Sequence, residues 1–232
     1  MLETPPILTI QRNFARPDPA KVAKLVGALT GNIADCLGGR GALNPVIKPI
    51  PDSPAGMRAV VGPAFPCQNA PSDQLGAMAA LAHAQSGDVI VAATEACTGT
   101  AVVGDLMLGM ARNRGIIGLV TDGAVRDLGG IFKVGLPVFC AGVNPDSPSR
   151  TGPGSAGLPV HIGGTTVHPG DIVVADSDGV VIVPQGLLDM VIEKLEQVLV
   201  AEAEMEAKVE GGLKVPDSWG ALFASDQVRY LD

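Results

Sequence analysis

Aromatic residues are scarce, only 3% of a 232-residue chain, so the interior has to be built from Val, Ile, Leu, Ala and Met. Basic clusters are missing too. No block of Lys or Arg occurs anywhere, the net charge is -8, and the sequence pI is about 4.8. A nucleic-acid binder ordinarily carries a basic patch or stripe, so that class is not expected. An acidic protein still binds a small anion if one local site is positive. Long apolar runs are also lacking. No window reaches the roughly 18 residues of a membrane span, and none is predicted. The opening MLETPPILTIQRNFARPDP has an early Glu and two early prolines, unlike a secretory leader, which points to the cytoplasm. The four cysteines (Cys36, Cys67, Cys97 and Cys140) lie far apart and form no C-x-x-C pair. They read as reduced, mostly buried thiols, and no zinc-ligand spacing is present.

What the chain does have is glycine and proline, 30 and 19 residues, without a Gly-X-Y period. Many tight turns follow from that. Residues 1–17 read as an irregular arm, 18–212 as one α/β domain and 213–232 as a tail. Asp18 and Pro19 cap and open a helix over 19–37 that Gly38-Gly39 stops. Short strands are expected near 46–50 and 57–61, a helix over 72–85 and a buried strand within 86–93. A helix over 104–114, a strand over 116–123, a short helix in VRDLGGIFKVG and a strand over 136–142 come next. Strands alternating with helices predict βαβ units and a parallel sheet. From about residue 144 the texture turns to Pro, Gly and Ser. VHIGGTTVHPGDIVVADSDGVVIVP then reads as antiparallel strands or a small barrel, and 186–211 as a long amphipathic helix. SGDVIVAA (86–93) is echoed by PGDIVVADSDG (169–179), a shared strand-entry turn or a duplication.

The chemistry concentrates in GDLMLGMARNRGIIGLVTDGAVRD (104–127). Its apolar body suits buried elements, yet its ends carry Asp105 and the pair Arg126-Asp127. Gly104-Asp105 opens a helix, whose unpaired amides attract a carboxylate or phosphate. Asp105 reads either as an N-cap or as a site carboxylate. Arg126-Asp127 follows the expected strand at its C-terminal end, where α/β sheets bind ligands. The pair reads either as a surface ion pair or as a guanidinium fork beside a hard oxygen ligand. Twenty residues separate Asp105 from Arg126, about one helix plus one strand, so both ends return to one sheet edge. Helix amides, a guanidinium and two carboxylates suit metal-assisted chemistry on a 2-oxo acid.

That signature resembles the 4-hydroxy-4-methyl-2-oxoglutarate / 4-carboxy-4-hydroxy-2-oxoadipate aldolases, class II pyruvate aldolases sharing the fold of the regulator of ribonuclease activity A. GDVIVAATEACTGTAVVGD, TDGAVRD, HPGDIVVADSDGVVIVP and the Glu-rich late helix carry the resemblance in order and spacing, over roughly residues 15–215. It implies an α/β fold, a swivelling β/β/α domain with a βαβ core, a β-rich segment and a long C-terminal helix. It implies Asp127 as the direct ligand of a divalent cation, Mg²⁺ or Mn²⁺, and Asp105 in the outer shell through water. Arg126 would contact the pyruvyl part, and the amides of Leu106 and Met107 after Gly104 would receive its carboxylate. A Glu of a neighbouring subunit's C-terminal helix, Glu202 or next Glu204, would complete the site. A homotrimer or homohexamer is implied. The expected reaction is retro-aldol cleavage of a 4-hydroxy-2-oxo di- or tricarboxylic acid to pyruvate, with oxaloacetate decarboxylation as a side activity. The alternatives are a non-catalytic protein-binding regulator, or a lyase or hydratase on another 2-oxo acid. Arg150, in SRTGPGSAG, reads as a distal-carboxylate contact or a surface residue. His83, His161, His168, Asp176 and Asp178 read as packing, turn or surface residues. Glu95 either lines the site or sits on a loop surface, and Cys97 lacks a histidine partner that the sequence can place.

Overall fold

A computed structural model describes residues 5–231. The chain runs β1 (Leu8–Ile10), α1 (Pro19–Ala23), α2 (Thr30–Cys36), β2 (Lys48–Pro49), β3 (Val60–Asn69), α3 (Leu75–His83), β4 (Val89–Ala93), β5 (Ala101–Val103) and α4 (Asp105–Asn113). It continues with β6 (Gly118–Thr121), β7 (Ala124–Val125), α5 (Leu128–Val134), β8 (Val138–Cys140), β9 (Gly142–Val143), β10 (Gly154–Ala156), β11 (Val160–Ile162) and β12 (Thr165–Val167). β13 (Ile172–Asp176), β14 (Gly179–Val183), α6 (Leu188–Glu210) and α7 (Asp217–Phe223) complete it.

Strand side chains alternate between faces, and that alternation sorts the apolar residues into layers. On β4, Ile90 and Ala92 pack with α3, α4 and α5, while Val89, Val91 and Ala93 face β11 to β14. On β13, Val173 and Ala175 join that same interior, and Ile172 and Val174 turn outward to α1, α2 and α6. The order is helices, parallel sheet, β-rich layer, helices. β3, β4, β6 and β8 are parallel neighbours, with β10 and β1 beyond β3 and β2 beyond β8. β3 joins the two sheet layers. Its first half pairs antiparallel with β13, Val60 opposite Ala175, and its second half pairs parallel with β4, Ala64 opposite Val89. The βαβ core, β-rich segment and long terminal helix are as expected. The β-rich part is antiparallel hairpins, β11 with β12 and β13 with β14.

Several local expectations change. The helix over 19–37 is two helices, because Gly27 adopts φ +85 and breaks the first. Asp18 does cap α1, accepting from the Ala20 amide at 2.8 Å. α2 is capped from a distance: Asp176 accepts from the Thr30 amide and hydroxyl, both at 2.8 Å. Part of the arm over 1–17 is ordered as β1, paired with β10. Arg16 then ties the arm down with a two-pronged contact to the buried Asp88, at 2.9 and 2.7 Å. The tail contains α7; residues 1–4 and 232 lie outside the described residues. The echo at 86–93 and 169–179 is one turn used twice. Asp88 accepts from the Gln85 amide and Asp171 from the His168 amide, each three residues back. Cys36, Cys67 and Cys140 are buried and Cys97 partly so, all as free thiols. Burial pushes Cys67 up to about 12 and Cys140 to about 11. Among the described residues no helix is long and apolar enough to cross a membrane.

Candidate active site

The main strands do not end at the site. β4, β6 and β8 are followed by β5, β7 and β9, which form a second, smaller parallel sheet in the order β5-β7-β9. TDGAVRD begins at the end of β6, as expected, but Arg126-Asp127 does not sit directly there. The chain turns through Asp122-Gly123 and adds β7 first. Asp122 is buried and structural: it accepts from the Thr94 amide and hydroxyl and the Ala96 amide, at 2.7, 2.9 and 2.9 Å. β5 and β7 are hydrogen-bonded neighbours, with Ala101 opposite Ala124 and Val103 opposite Val125. The Arg126 amide donates to the Val103 carbonyl at 3.2 Å. α4 starts after β5 and α5 after β7. Adjacent parallel strands thus deliver Gly104-Asp105 and Arg126-Asp127 side by side.

They line a cleft of about 420 Å³ together with Gln74, Arg150, Leu106, Met107 and an apolar wall of Met78, Leu81 and Met110. Gly104, not Asp105, is the N-cap of α4. Asp105 is the first helical residue, and its carboxylate accepts from the Leu106 amide at 2.7 Å. Of the two amides expected to take a substrate carboxylate, Leu106's is thus already engaged, and Met107's belongs to the first turn, whose amides lack helical acceptors. Asp127 caps α5 in a left-handed backbone conformation, φ 65 and ψ 45. Such strain in a non-glycine residue is sparsely populated and gathers at functional sites. Its carboxylate is half exposed and lies 3.3 Å from the Arg126 Nε. Arg126 also donates from Nη1 to the Ser147 hydroxyl at 2.5 Å.

Two glycines fit this arrangement for steric reasons. A Cβ on Gly104 would sit 2.7 Å from the Asp127 Oδ2, and one on Gly130 2.0 Å from the Asp105 Oδ2. Gly130 went unnoticed in the sequence reading. Its signal was a Gly-Gly pair inside the first turn of a helix, where each glycine costs about 1 kcal/mol against Ala. Asp73 and Gln74 were missed as well. Asp73 is buried and accepts from the Ser149 hydroxyl and the Leu75, Thr151 and Gly152 amides, at 2.6, 2.7, 2.7 and 3.0 Å. Burial alone would raise its pKa, but those hydrogen bonds outweigh it and hold the carboxyl below its ordinary value. Sequence gives no means to find a carboxylate acting across that separation.

Among the described residues no three His, Cys, Asp or Glu side chains cluster as ligands. A hard ion such as Mg²⁺ keeps several waters and is held by one or two carboxylates. A half-exposed Asp127 with Asp105 in the same cleft fits that pattern.

Glu202 is not brought to this cleft within the chain. α6 packs beyond the β-rich layer, and the Glu202 carboxylate accepts from the Asn32 side-chain Nδ2 at 2.7 Å. A larger cavity of about 660 Å³ lies nearer the ends of the main strands, lined in part by Glu95, Thr98, Asp122 and His161. There the Asp122 carboxylate is taken up by Thr94 and Ala96, and His161 leans on Thr166 at 3.5 Å. The smaller cleft is the better site because two carboxylates, two guanidinia and a helix start converge in it. His83 ends α3, and His168 lies 3.6 Å from Asp171 at a strand-entry turn.

The family description RraA-like, Aldolase/RraA, matches residues 30–182. The chain belongs to this family. Within it, a Halalkalibacterium halodurans protein named "Putative 4-hydroxy-4-methyl-2-oxoglutarate aldolase" is 37% identical over 176 residues, 76% of this chain and 80% of that protein. Protein DlpA of Legionella pneumophila is 30% identical over 88% of this chain, which spans 34% of DlpA. Solved RraA-like structures agree on the fold. Streptomyces coelicolor RraAS2, described as an unusual member of the RNase ES inhibitor RraA protein family, has a TM-score of 0.74 at 27% identity, covering 83% of this chain and 100% of that one. The RNA-processing inhibitor RraA from Thermus thermophilis has a TM-score of 0.61 at 25% identity, covering 68% and 93%.

Proposed function

We propose that this RraA-like protein is a divalent-metal-dependent class II aldolase that releases pyruvate from a 4-hydroxy-2-oxo di- or tricarboxylic acid. The observation that carries the reading is the meeting of Asp105, Arg126 and Asp127 in one cleft at two helix starts. Arg126 is placed by β7 and braced by Ser147, so its guanidinium holds the pyruvyl end with little freedom to lose. The first-turn amide of Met107 offers a donor to the substrate carboxylate. The cleavage breaks the C3–C4 bond. The C4 hydroxyl loses its proton and becomes a carbonyl, the bonding pair passes into the pyruvate enolate, and a proton returned to C3 gives pyruvate. Arg126 stabilises the negative charge that develops on the enolate. Asp127, with Asp105 in the same cleft, would hold a divalent cation, which would supply further positive charge at the keto oxygen. In this reading the chain assembles as a homotrimer or homohexamer. Glu202 enters from a second copy to activate the water that takes the hydroxyl proton.

The test is pyruvate release from 4-hydroxy-4-methyl-2-oxoglutarate and from oxaloacetate, with Mg²⁺ and with EDTA. Wild type is run beside Asp127→Ala and Arg126→Ala. Metal-dependent pyruvate lost in both variants is the expected result. A folded, Mg²⁺-supplied wild type that forms no pyruvate from either sinks the reading. The likeness to the RNA-processing inhibitor from Thermus thermophilis favours a second reading, a protein-binding regulator, because one fold hosts both roles. Binding to a ribonuclease without any pyruvate release would select it.

A further inference from the structure

Arg150 faces Arg126's cleft from a different part of the chain, and the way it is held is unusual for an exposed arginine. Its backbone is clamped on both sides by one buried carboxylate. Asp73 accepts from the Ser149 hydroxyl before it and from the Thr151 and Gly152 amides after it. The Ser149 amide also donates to the Ser72 carbonyl at 2.8 Å, and the Gln74 amide to the Ser149 carbonyl at 3.0 Å. Side-chain position is set as well. With the Gln74 amide turned to satisfy both of its ends, its nitrogen donates to the Val102 carbonyl at 3.2 Å. Its oxygen then accepts from the Arg150 Nε at 2.8 Å. Nε is thereby used, which leaves the two terminal nitrogens of Arg150 as a fork for a carboxylate.

Charge points the same way. The charged side chains lining the cleft are Asp105, Asp127, Arg126 and Arg150, which sum to zero. A divalent cation on Asp127 brings the total to +2, the complement of a dianion. Without Arg150 the same site would complement a monoanion.

We infer that Arg150 is the receptor for a second, distal carboxylate, so the site selects 2-oxo dicarboxylates over 2-oxo monocarboxylates, with Asp73 and Gln74 as positioning residues. The inference rests on the proposed function for the placement of the 2-oxo acid head at Arg126. It adds the specificity of the far end.

The experiment is calorimetric binding with Mg²⁺, which needs no turnover. 2-Oxoglutarate is compared with 2-oxopentanoate, the same chain without the distal carboxylate, on wild type, Arg150→Gln and Arg150→Lys. Wild type should favour 2-oxoglutarate by about tenfold to a hundredfold, the range of a charge-assisted pair. Arg150→Gln should remove the preference, and Arg150→Lys should restore part of it. Asp73→Asn, which leaves the Arg150 charge in place but loosens its loop, should reduce the preference without abolishing binding of the monocarboxylate. Wild type that binds both ligands equally, or an Arg150→Gln variant that keeps the preference, overturns the inference and leaves the aldolase reading standing. If neither ligand nor pyruvate binds, the placement of the 2-oxo acid head is wrong and both fall. A preference that survives while Arg150→Gln breaks up an oligomer in light scattering reassigns Arg150 to a contact between copies.

Discussion

Gly129 and Gly130 are neighbours in the first turn of α5, and changing each to Ala should give opposite results. Glycine to alanine inside a helix ordinarily stabilises by about 1 kcal/mol, through backbone entropy and helix propensity. Nothing lies within 4 Å of a Cβ added at Gly129, so that variant should realise the gain. At Gly130 the new carbon would lie 2.0 Å from the Asp105 Oδ2 and 2.6 Å from its Cγ. Two relaxations are open. If α5 shifts to keep Asp105 in place, overpacking costs about 1–3 kcal/mol and cancels or reverses the propensity gain. The two variants then differ by about 1–3 kcal/mol, several degrees in Tm for a domain of this size. If Asp105 swings away instead, stability is spared and the carboxylate leaves its place beside Asp127. Loss of a positioned carboxylate should then slow pyruvate release by about a hundredfold. The assay is thermal unfolding of both variants together with pyruvate release followed through lactate dehydrogenase and NADH. A Gly130→Ala protein that matches Gly129→Ala in both melting and rate refutes the steric reasoning.

Other consequences are as open to measurement. Arg16→Ala strands the Asp88 carboxylate, only 1% exposed, so unfolding in urea should show a loss of about 3 kcal/mol. Asp73 has a folded pKa below its ordinary 3.8, so its contribution is present above the unfolded value and fades as pH falls through the lower folded one. The stability gap between wild type and Asp73→Asn should therefore hold at neutral pH and close below about pH 4, read from denaturant midpoints. A gap that stays constant down to pH 2 would show that the clamp does not depend on the charge. In thiol labelling at neutral pH, Cys97 should react first. It is the one cysteine among the four whose pKa is lowered, chiefly by the Ser72 hydroxyl 3.6 Å from its sulfur. Cys67 and Cys140 should label only on unfolding, and early labelling of either would contradict their burial.

The alternation of strands and helices from residue 72 to 140 was legible from periodicity for β4, β6 and β8, because each apolar run faces a layer and its spacing records which; β3, expected only near 57–61, runs Val60–Asn69, and the short β5 was not expected. Asp18 with Pro19 and the two Gly-Asp strand entries were legible for the same local reason: the partner is a backbone amide within three residues. The cap of α2 by Asp176 was not, nor was the clamp of Asp73 on the 149–152 loop, because those partners are far apart in the chain. The break of the 19–37 helix at Gly27 and the pairing of β1 with β10 likewise depend on neighbours that periodicity does not register.

By itself the sequence determined the α/β class, the polar ends of the 104–127 segment and the family they resemble. Those are properties of residue type and spacing along one stretch of chain. Tertiary structure alone decided that a second small sheet, not the main one, sets Gly104-Asp105 beside Arg126-Asp127. It also decided that Gly130 is required by contact, that Arg150 enters the same cleft, and that Glu202 lies in another layer. Each of these depends on a distance between residues distant in sequence, which is fixed only when the strands pair and the layers close.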